Sequence, residues 1–109
     1  MVAANDLNAL LHRFIGDIKD HLPISAVYLF GSYANGTANN DSDIDIAIVS
    51  DSFQGIRYFY RQTVHHLVRR DLLKIYNNLE VHPFKTEDFT PDNPFVAEIL
   101  RTGKEILWH

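Results

Sequence analysis

Apolar residues near the N-terminus recur at steps of three and four, which is the spacing of one face of an α-helix. The pattern predicts a first helix that Asn5 or Asp6 caps at its start and that Pro23 stops. Its apolar face comprises Leu7, Leu10, Leu11, Phe14, Ile15, Ile18 and Leu22. The run that follows, residues 24–30, is rich in β-branched and aromatic side chains and therefore predicts a buried strand.

A short helix and a second strand are predicted next. Ser32 is a good N-cap, and Gly36 limits the length of a helix over residues 32–38. After a polar turn, residues 43–50 alternate in character, so that their isoleucines point into a core while the aspartates point away from it.

The pattern continues with a helix, a strand and another helix. Helical spacing of apolar residues covers residues 56–75, and alternation covers residues 79–84, where Pro83 favours a sheet edge or a strand end. A further helix is predicted over residues 94–102, with Gly103 as its C-cap.

A last short strand, over residues 105–108, completes the order α-β-α-β-α-β-α-β. This order predicts a β-sheet flanked by helices in one layered unit of the α/β or α+β class. A chain of 109 residues can bury one core, so we expect a single domain over residues 1–109.

Composition removes several classes of function. The net charge of −4, from 10 basic and 14 acidic residues, argues against a general affinity for nucleic acid or anionic membranes. The absence of cysteine excludes disulfides and thiolate zinc sites. The chain shows neither the pattern of a secretory signal nor an apolar run of about 18 to 20 residues that could cross a bilayer. We therefore expect a cytoplasmic protein.

The strongest chemical signal is a pair of aspartates near a Gly-Ser turn. Asp43 and Asp45 alternate along the second predicted strand, so both carboxylates point the same way. Two adjacent carboxylates repel each other unless a cation neutralises them. With Gly31 and Ser32 forming a phosphate-sized turn after the preceding strand, the pattern indicates a divalent metal held against a nucleotide.

Residues 31–46 resemble the signature of the polymerase β-type nucleotidyltransferases. The family pattern has a Gly-Ser, a spacer with a second glycine, and then Ser-Asp-x-Asp on the next strand. Its elements stand here as Gly31, Ser32, Gly36, Ser42, Asp43 and Asp45. Within that superfamily the chain most resembles the minimal nucleotidyltransferases, short proteins often encoded beside a helical HEPN partner. The resemblance implies a polymerase β-like fold, with a mixed sheet flanked by helices.

The resemblance also implies a Mg²⁺ ion and ATP as substrate. Asp43 and Asp45 are the expected metal ligands and catalytic residues, and Glu80, on the next strand, is the expected third catalytic carboxylate and metal ligand. Carboxylates suit this role because magnesium prefers oxygen donors. The expected nucleotide-binding residues are Gly31, Ser32 and Ser42.

Two positions leave alternatives open. His82 shares the predicted face of Glu80 and could serve as a ligand or a base, although a hydrogen-bonded structural histidine is the commoner arrangement. Many relatives carry arginine where Asn35 stands, so nucleotide affinity is either weaker here or supplied by another residue.

The predicted helix over residues 56–75 is locally basic and carries an aromatic cluster over residues 58–60. We favour a solvated helix face for the basic residues. The alternative is contact with a triphosphate or an acidic partner, for which Arg61 and His65 are the first candidates. The aromatic cluster is too large for one helical face, which suggests a protein interface.

The resemblance implies transfer of AMP from ATP to a hydroxyl group. It further implies that the acceptor is a tyrosine of a HEPN toxin, which would make this chain the antitoxin of the pair. One alternative is a binding module that neutralises its partner by contact without catalysis. Another is nucleotidylation of a small molecule such as an aminoglycoside. Nucleotide preference, the acceptor and a possible homo-oligomer remain open from the sequence.

Overall fold

A computed structural model describes residues 4–19, 23–39, 42–51 and 79–107. The predicted helix over residues 56–75, with its basic and aromatic residues, lies outside these ranges. The described elements are helix α1 (Ala4–Ile18), strand β1 (Ala26–Phe30), helix α2 (Ser32–Asn35), strand β2 (Ile44–Ser50), strand β3 (Leu79–Lys85), a 3-10 turn (Thr86–Asp88), helix α3 (Pro94–Thr102) and strand β4 (Lys104–Glu105).

The four strands form one sheet in the order β3-β2-β1-β4. Strand β1 pairs antiparallel with both β2 and β4, whereas β2 and β3 run parallel. The predicted mixed sheet flanked by helices is therefore confirmed. Pro83 of β3 lies opposite Ile48 of β2. Strand β3 is the last strand on that side of the described sheet, which agrees with the edge position that the sequence predicts for a strand containing proline.

One face of the sheet is covered by α1. Five residues of the apolar face predicted for this helix are buried in a core that they share with strand residues, and Phe14 and Ile46 are fully buried. The Ile18 side chain and Leu22 lie outside the described part of the structure. Burying one such side chain contributes about 1.5–3 kcal/mol, so this face supplies much of the stability of the fold. The core comprises Leu7, Leu10, Leu11, Phe14, Ile15, Val27, Leu29, Ile44, Ile46, Ile48, Leu79 and Val81.

The opposite face of the sheet packs against α3. Val96 and Ile99 of this helix form a second buried cluster with Phe30, Ala47 and Phe84 of the strands. Because side chains alternate along a strand, Asp45 of β2 and His82 of β3, which lie two residues from Ala47 and Phe84, face the same side of the sheet as this cluster. Polar residues at the edge of this cluster form the candidate site.

The bounds of α3 agree with the prediction, and Gly103 caps its C-terminal end as predicted. The Asn93 side chain accepts a hydrogen bond from the backbone N–H of Phe95 at 2.9 Å, and Pro94 occupies the first turn. The N–H of Gly103 donates to the carbonyl oxygen of Ile99 at 2.7 Å. Among the helices described, none combines the length and apolarity that a bilayer-spanning segment requires.

The predicted ends of α1 and α2 are wrong by a few residues. Helix α1 begins at Ala4, so Asn5 and Asp6 fall within its first turn. Helix α2 is capped by Gly31 and not by Ser32, because the Gly31 carbonyl oxygen already accepts the first helical hydrogen bonds. The helix ends at Asn35, earlier than the predicted residue 38.

The predicted strand ends also need small corrections. Strand β1 begins at Ala26 and β2 at Ile44, slightly later than predicted. Strand β4 comprises Lys104–Glu105, whose residues lie opposite Leu29 and Tyr28 of β1. Strand ends follow the extent of pairing with a neighbour, which a local apolar pattern does not specify.

Candidate active site

The candidate site lies where β1 ends and β2 begins. Phe30, the last residue of β1, lies directly opposite Asp45 in the antiparallel pair. On its other side, Asp45 lies opposite Glu80 in the parallel pair. Residues opposite each other on neighbouring strands share a face of the sheet. The structure therefore brings Asp45 and Glu80 to adjacent positions, as the sequence predicts for a carboxylate site.

Gly31 and Asp45 are in close contact. Gly31 has φ 76° and ψ −153°, a conformation that is essentially restricted to glycine. A Cβ atom at this position would lie 2.5 Å from Oδ2 of Asp45 and 3.3 Å from its Cγ. The sequence predicts that the absence of a side chain at Gly31 makes room for a phosphate. In the structure, the carboxylate of Asp45 occupies the space that a side chain would fill.

The turn after Gly31 is compact. The backbone N–H groups of Ala34 and Asn35 donate to the Gly31 carbonyl oxygen at 3.1 and 3.0 Å. Gly36 ends the turn in the left-handed conformation with φ 77°. Ser32, the first helical residue, is half-buried, whereas Asn35 is exposed at the end of the turn.

Ser42 organises the loop that leads into β2. Its Oγ atom accepts a hydrogen bond from the backbone N–H of Asn39 at 2.8 Å, and its own N–H donates to the Asn39 carbonyl oxygen at 3.1 Å. These paired bonds form a turn just before Asp43 and the start of β2. Its predicted contact with the nucleotide stays a prediction.

His82 contacts Asp45 directly. Its Nε2 atom lies 3.4 Å from Oδ1 of Asp45, and both side chains are about one quarter exposed, at 23% and 27%. The ring of His82 also meets Phe30 and Phe95, with ring centroids 5.0 and 5.8 Å apart in edge-on arrangements. Sequence reasoning missed these two aromatic residues. The position of Phe30, just before the Gly-Ser turn, was the available signal.

The donor types at the site fit a hard cation such as Mg²⁺, since Asp43, Asp45 and Glu80 all offer carboxylate oxygens. Asp43 lies one residue before β2 and is exposed. Across the ranges that the structure describes, no three acidic or histidine side chains converge closely enough to hold a metal ion. The three-carboxylate site therefore stays a prediction, supported by donor chemistry and by the register of Asp45 and Glu80.

The family described as "Nucleotidyltransferase domain" matches residues 11–105, which include every predicted site residue. The match extends well beyond the Gly-Ser and Asp-x-Asp elements and covers all the described strands.

Two curated relatives are similar in sequence. The protein adenylyltransferase MntA of Shewanella oneidensis is 42% identical over 40 residues, a match that covers 36% of this chain and 29% of that protein. A candidate protein adenylyltransferase of Methanocaldococcus jannaschii is 30% identical over 111 residues, covering 94% of this chain and 71% of that protein. The first match is confined to less than a third of its relative, whereas the second extends along nearly the whole chain.

Solved structures share the fold at lower sequence identity. A crystal structure of a candidate nucleotidyltransferase from Sulfolobus solfataricus has a TM-score of 0.57 at 23% identity, covering 73% of this chain and 68% of that one. A toxin–antitoxin structure with AMP-PNP has a TM-score of 0.61 at 19% identity, covering 94% and 73%. A variant of the MntA–HpeT toxin–antitoxin complex has a TM-score of 0.58 at 22% identity, covering 91% and 72%.

Proposed function

The chain belongs to the nucleotidyltransferase domain family, and we propose that it transfers AMP from ATP to a hydroxyl group. The observation that carries the proposal is the position of Asp45, which lies against the Gly31 turn on one side and opposite Glu80 on the other. This arrangement places carboxylate oxygens beside a turn at which phosphates can be bound. The adenylyltransferase names of the two curated relatives support AMP as the transferred group.

The proposed reaction gives roles to five of the six predicted site residues. Asp43, Asp45 and Glu80 would hold Mg²⁺, which when bound neutralises charge on the triphosphate and positions the reacting oxygens. Ser32 would hold phosphate oxygens at the turn, next to the backbone of Gly31.

The transfer exchanges a phosphoanhydride bond of ATP for a phosphodiester bond to the acceptor. The acceptor oxygen forms a bond to the α-phosphorus of ATP, and the bond between that phosphorus and the pyrophosphate oxygen breaks. Glu80 is the proposed general base that takes the proton of the acceptor hydroxyl, since it is half-buried on the face that carries Asp45. Pyrophosphate leaves with the electron pair of the broken bond.

We propose that the acceptor is a tyrosine of a HEPN-type helical toxin encoded nearby, so that this chain acts as an antitoxin. Two of the similar solved structures are toxin–antitoxin assemblies by name, and one of these two contains AMP-PNP. A tyrosine supplies the hydroxyl that the reaction requires.

The test uses α-labelled ATP, Mg²⁺, the full chain and the protein encoded by the neighbouring gene. We expect label on the neighbouring protein with the wild type, and loss of at least 100-fold in rate with the Asp43→Asn, Asp45→Asn double variant. Asp51→Asn is the matched control, because Asp51 is an exposed aspartate beyond the other end of β2. Label that is absent with the wild type, or unaffected in the double variant, would contradict the proposal.

A second candidate is a non-catalytic antitoxin that neutralises its partner by contact. The observation that favours it is that no metal-binding trio of side chains is assembled within the described ranges. Co-expression of the double aspartate variant with the toxin separates the two functions. Growth rescued by that variant would favour contact, whereas toxicity despite normal complex formation would favour catalysis.

A further inference from the structure

We infer that His82 is a positioning residue that orients the carboxylate of Asp45, and is neither a metal ligand nor a base. The inference rests on the proposed function, because it assigns the orientation of a residue in the same site. It starts from the 3.4 Å contact between Nε2 of His82 on β3 and Oδ1 of Asp45 on β2. The two residues are 37 positions apart in the sequence.

The direction of this hydrogen bond follows from the chemistry of the two groups. An ionised carboxylate offers only acceptors, so Nε2 of His82 must carry the proton and donate it. A ring nitrogen that carries a proton has no lone pair in the ring plane for a metal ion or for a substrate proton. The contact with Asp45 therefore uses Nε2, the atom that would otherwise bind a metal ion or accept a proton on this side of the ring.

The two oxygens of Asp45 are held from different sides. Oδ1 faces the histidine, and Oδ2 lies over Gly31, where a Cβ would be only 2.5 Å away. Rotation of the carboxylate group would break the first contact. Together the histidine and the glycine thus select one orientation of Asp45, and preorganised ligands bind a metal ion more tightly than mobile ones.

Aromatic rings hold the histidine in turn. The ring of His82 meets Phe30 of β1 and Phe95 of α3 edge-on, with interplanar angles of 62° and 83°. Phe30 and Phe95 also contact each other, with ring centroids 5.5 Å apart at 76°. Three mutually packed rings restrict rotation of the imidazole and keep Nε2 directed at Asp45. Helix α3 is linked to the site through this contact.

Two substitutions separate a positioning role from a packing role. His82→Gln keeps an N–H donor near the position of Nε2 but removes the ring. His82→Phe keeps an aromatic ring against Phe30 and Phe95 but removes the donor. A positioning role requires that the glutamine variant retain function better than the phenylalanine variant, whereas a purely structural role requires the opposite order.

The experiment measures binding of Mn²⁺ alone to the full chain by electron paramagnetic resonance, and kcat and KM for ATP in the labelling assay. We expect His82→Phe to weaken Mn²⁺ binding about tenfold and to lower kcat more than it raises KM. His82→Gln should stay within about threefold of the wild type. His12→Gln, on an exposed position of α1, is the control and should leave Mn²⁺ affinity unchanged.

Asp45→Asn separates failure of this inference from failure of the proposed function. If Asp45→Asn weakens Mn²⁺ binding but His82→Phe does not, the positioning role is wrong and the metal site stands. Equal Mn²⁺ binding by the wild type and Asp45→Asn would overturn the metal site and the positioning role together. A glutamine variant that loses affinity while the phenylalanine variant keeps it would also overturn the inference.

Discussion

The carboxylate of Asp45 occupies the space that a side chain at Gly31 would need. The two residues come from opposite ends of the loop between β1 and β2, and the register of the strands brings them together. The Gly-Ser element and the Asp-x-Asp element are therefore parts of one packing arrangement. The glycine fixes the position of the carboxylate as well as the shape of the turn.

Gly31→Ala should destabilise the fold and abolish labelling activity. The substitution costs about 1–3 kcal/mol for the backbone conformation, and the new methyl group would also displace Asp45. Urea unfolding gives the free energy of unfolding, and the labelling assay gives the rate.

Gly36→Ala is the matched control for this prediction. Gly36 has nearly the same φ, at 77°, but a Cβ there would meet nothing within 4 Å. It should cost about 1–2 kcal/mol of stability and leave most of the activity. Equal losses of activity in the two variants would show that contact with Asp45 is not the reason for Gly31.

Gly16→Ala should stabilise the protein by about 0.5–1 kcal/mol. Gly16 lies inside α1, where glycine is unfavourable relative to alanine, and a Cβ at this position would meet nothing within 4 Å. A rise in the urea midpoint at constant m-value would agree with this expectation. A fall in the midpoint would mean that the space around Gly16 is needed.

Asn93→Ala should lower the free energy of unfolding by about 1 kcal/mol, because it removes the acceptor for the Phe95 N–H at the start of α3. Asn93→Asp retains a side-chain acceptor and should preserve most of the stability. A destabilisation of equal size in both variants would contradict a capping role. Thermal unfolding of the three proteins gives the comparison.

Tyr28 should ionise at higher pH than an ordinary tyrosine. Burial raises the pKa of its hydroxyl above 10.0, and the negative charge of Glu105 on β4 raises the pKa further. Glu105→Gln should therefore lower the pKa of Tyr28 part of the way toward 10.0. Ring signals of Tyr28 in a pH titration by nuclear magnetic resonance report this change, and an unchanged pKa would remove Glu105 as a cause.

The raised pKa of Tyr28 also predicts how stability depends on pH. Above about pH 10 the hydroxyl ionises first in the unfolded chain, which then binds fewer protons than the folded protein. The contribution of Tyr28 to stability is thus fully present below pH 10 and is lost as the pH rises through the folded-state pKa. Urea midpoints measured between pH 9 and 11 should fall less for Glu105→Gln than for the wild type.

Local patterns in the sequence were sufficient to predict most of the described helices and strands. The three- and four-residue spacing in α1 identified its buried face, because a helix buries the side chains that share one side. The end of α3 followed from Gly103, since helix ends depend on hydrogen bonds within a few residues. The predicted N-cap of α2, Ser32, was wrong by one residue, because the first helical hydrogen bonds form to the carbonyl oxygen of Gly31.

The sequence by itself determined which residues are candidates for the site: Asp43 and Asp45, a Gly-Ser turn before them, and a third acid on a later strand. Only the tertiary structure decided which atoms meet. The register of two strands distant in sequence sets Asp45 opposite Glu80, and packing of α3 directs His82 toward Asp45. Such contacts depend on pairing and packing between distant segments, which no local spacing of residues encodes.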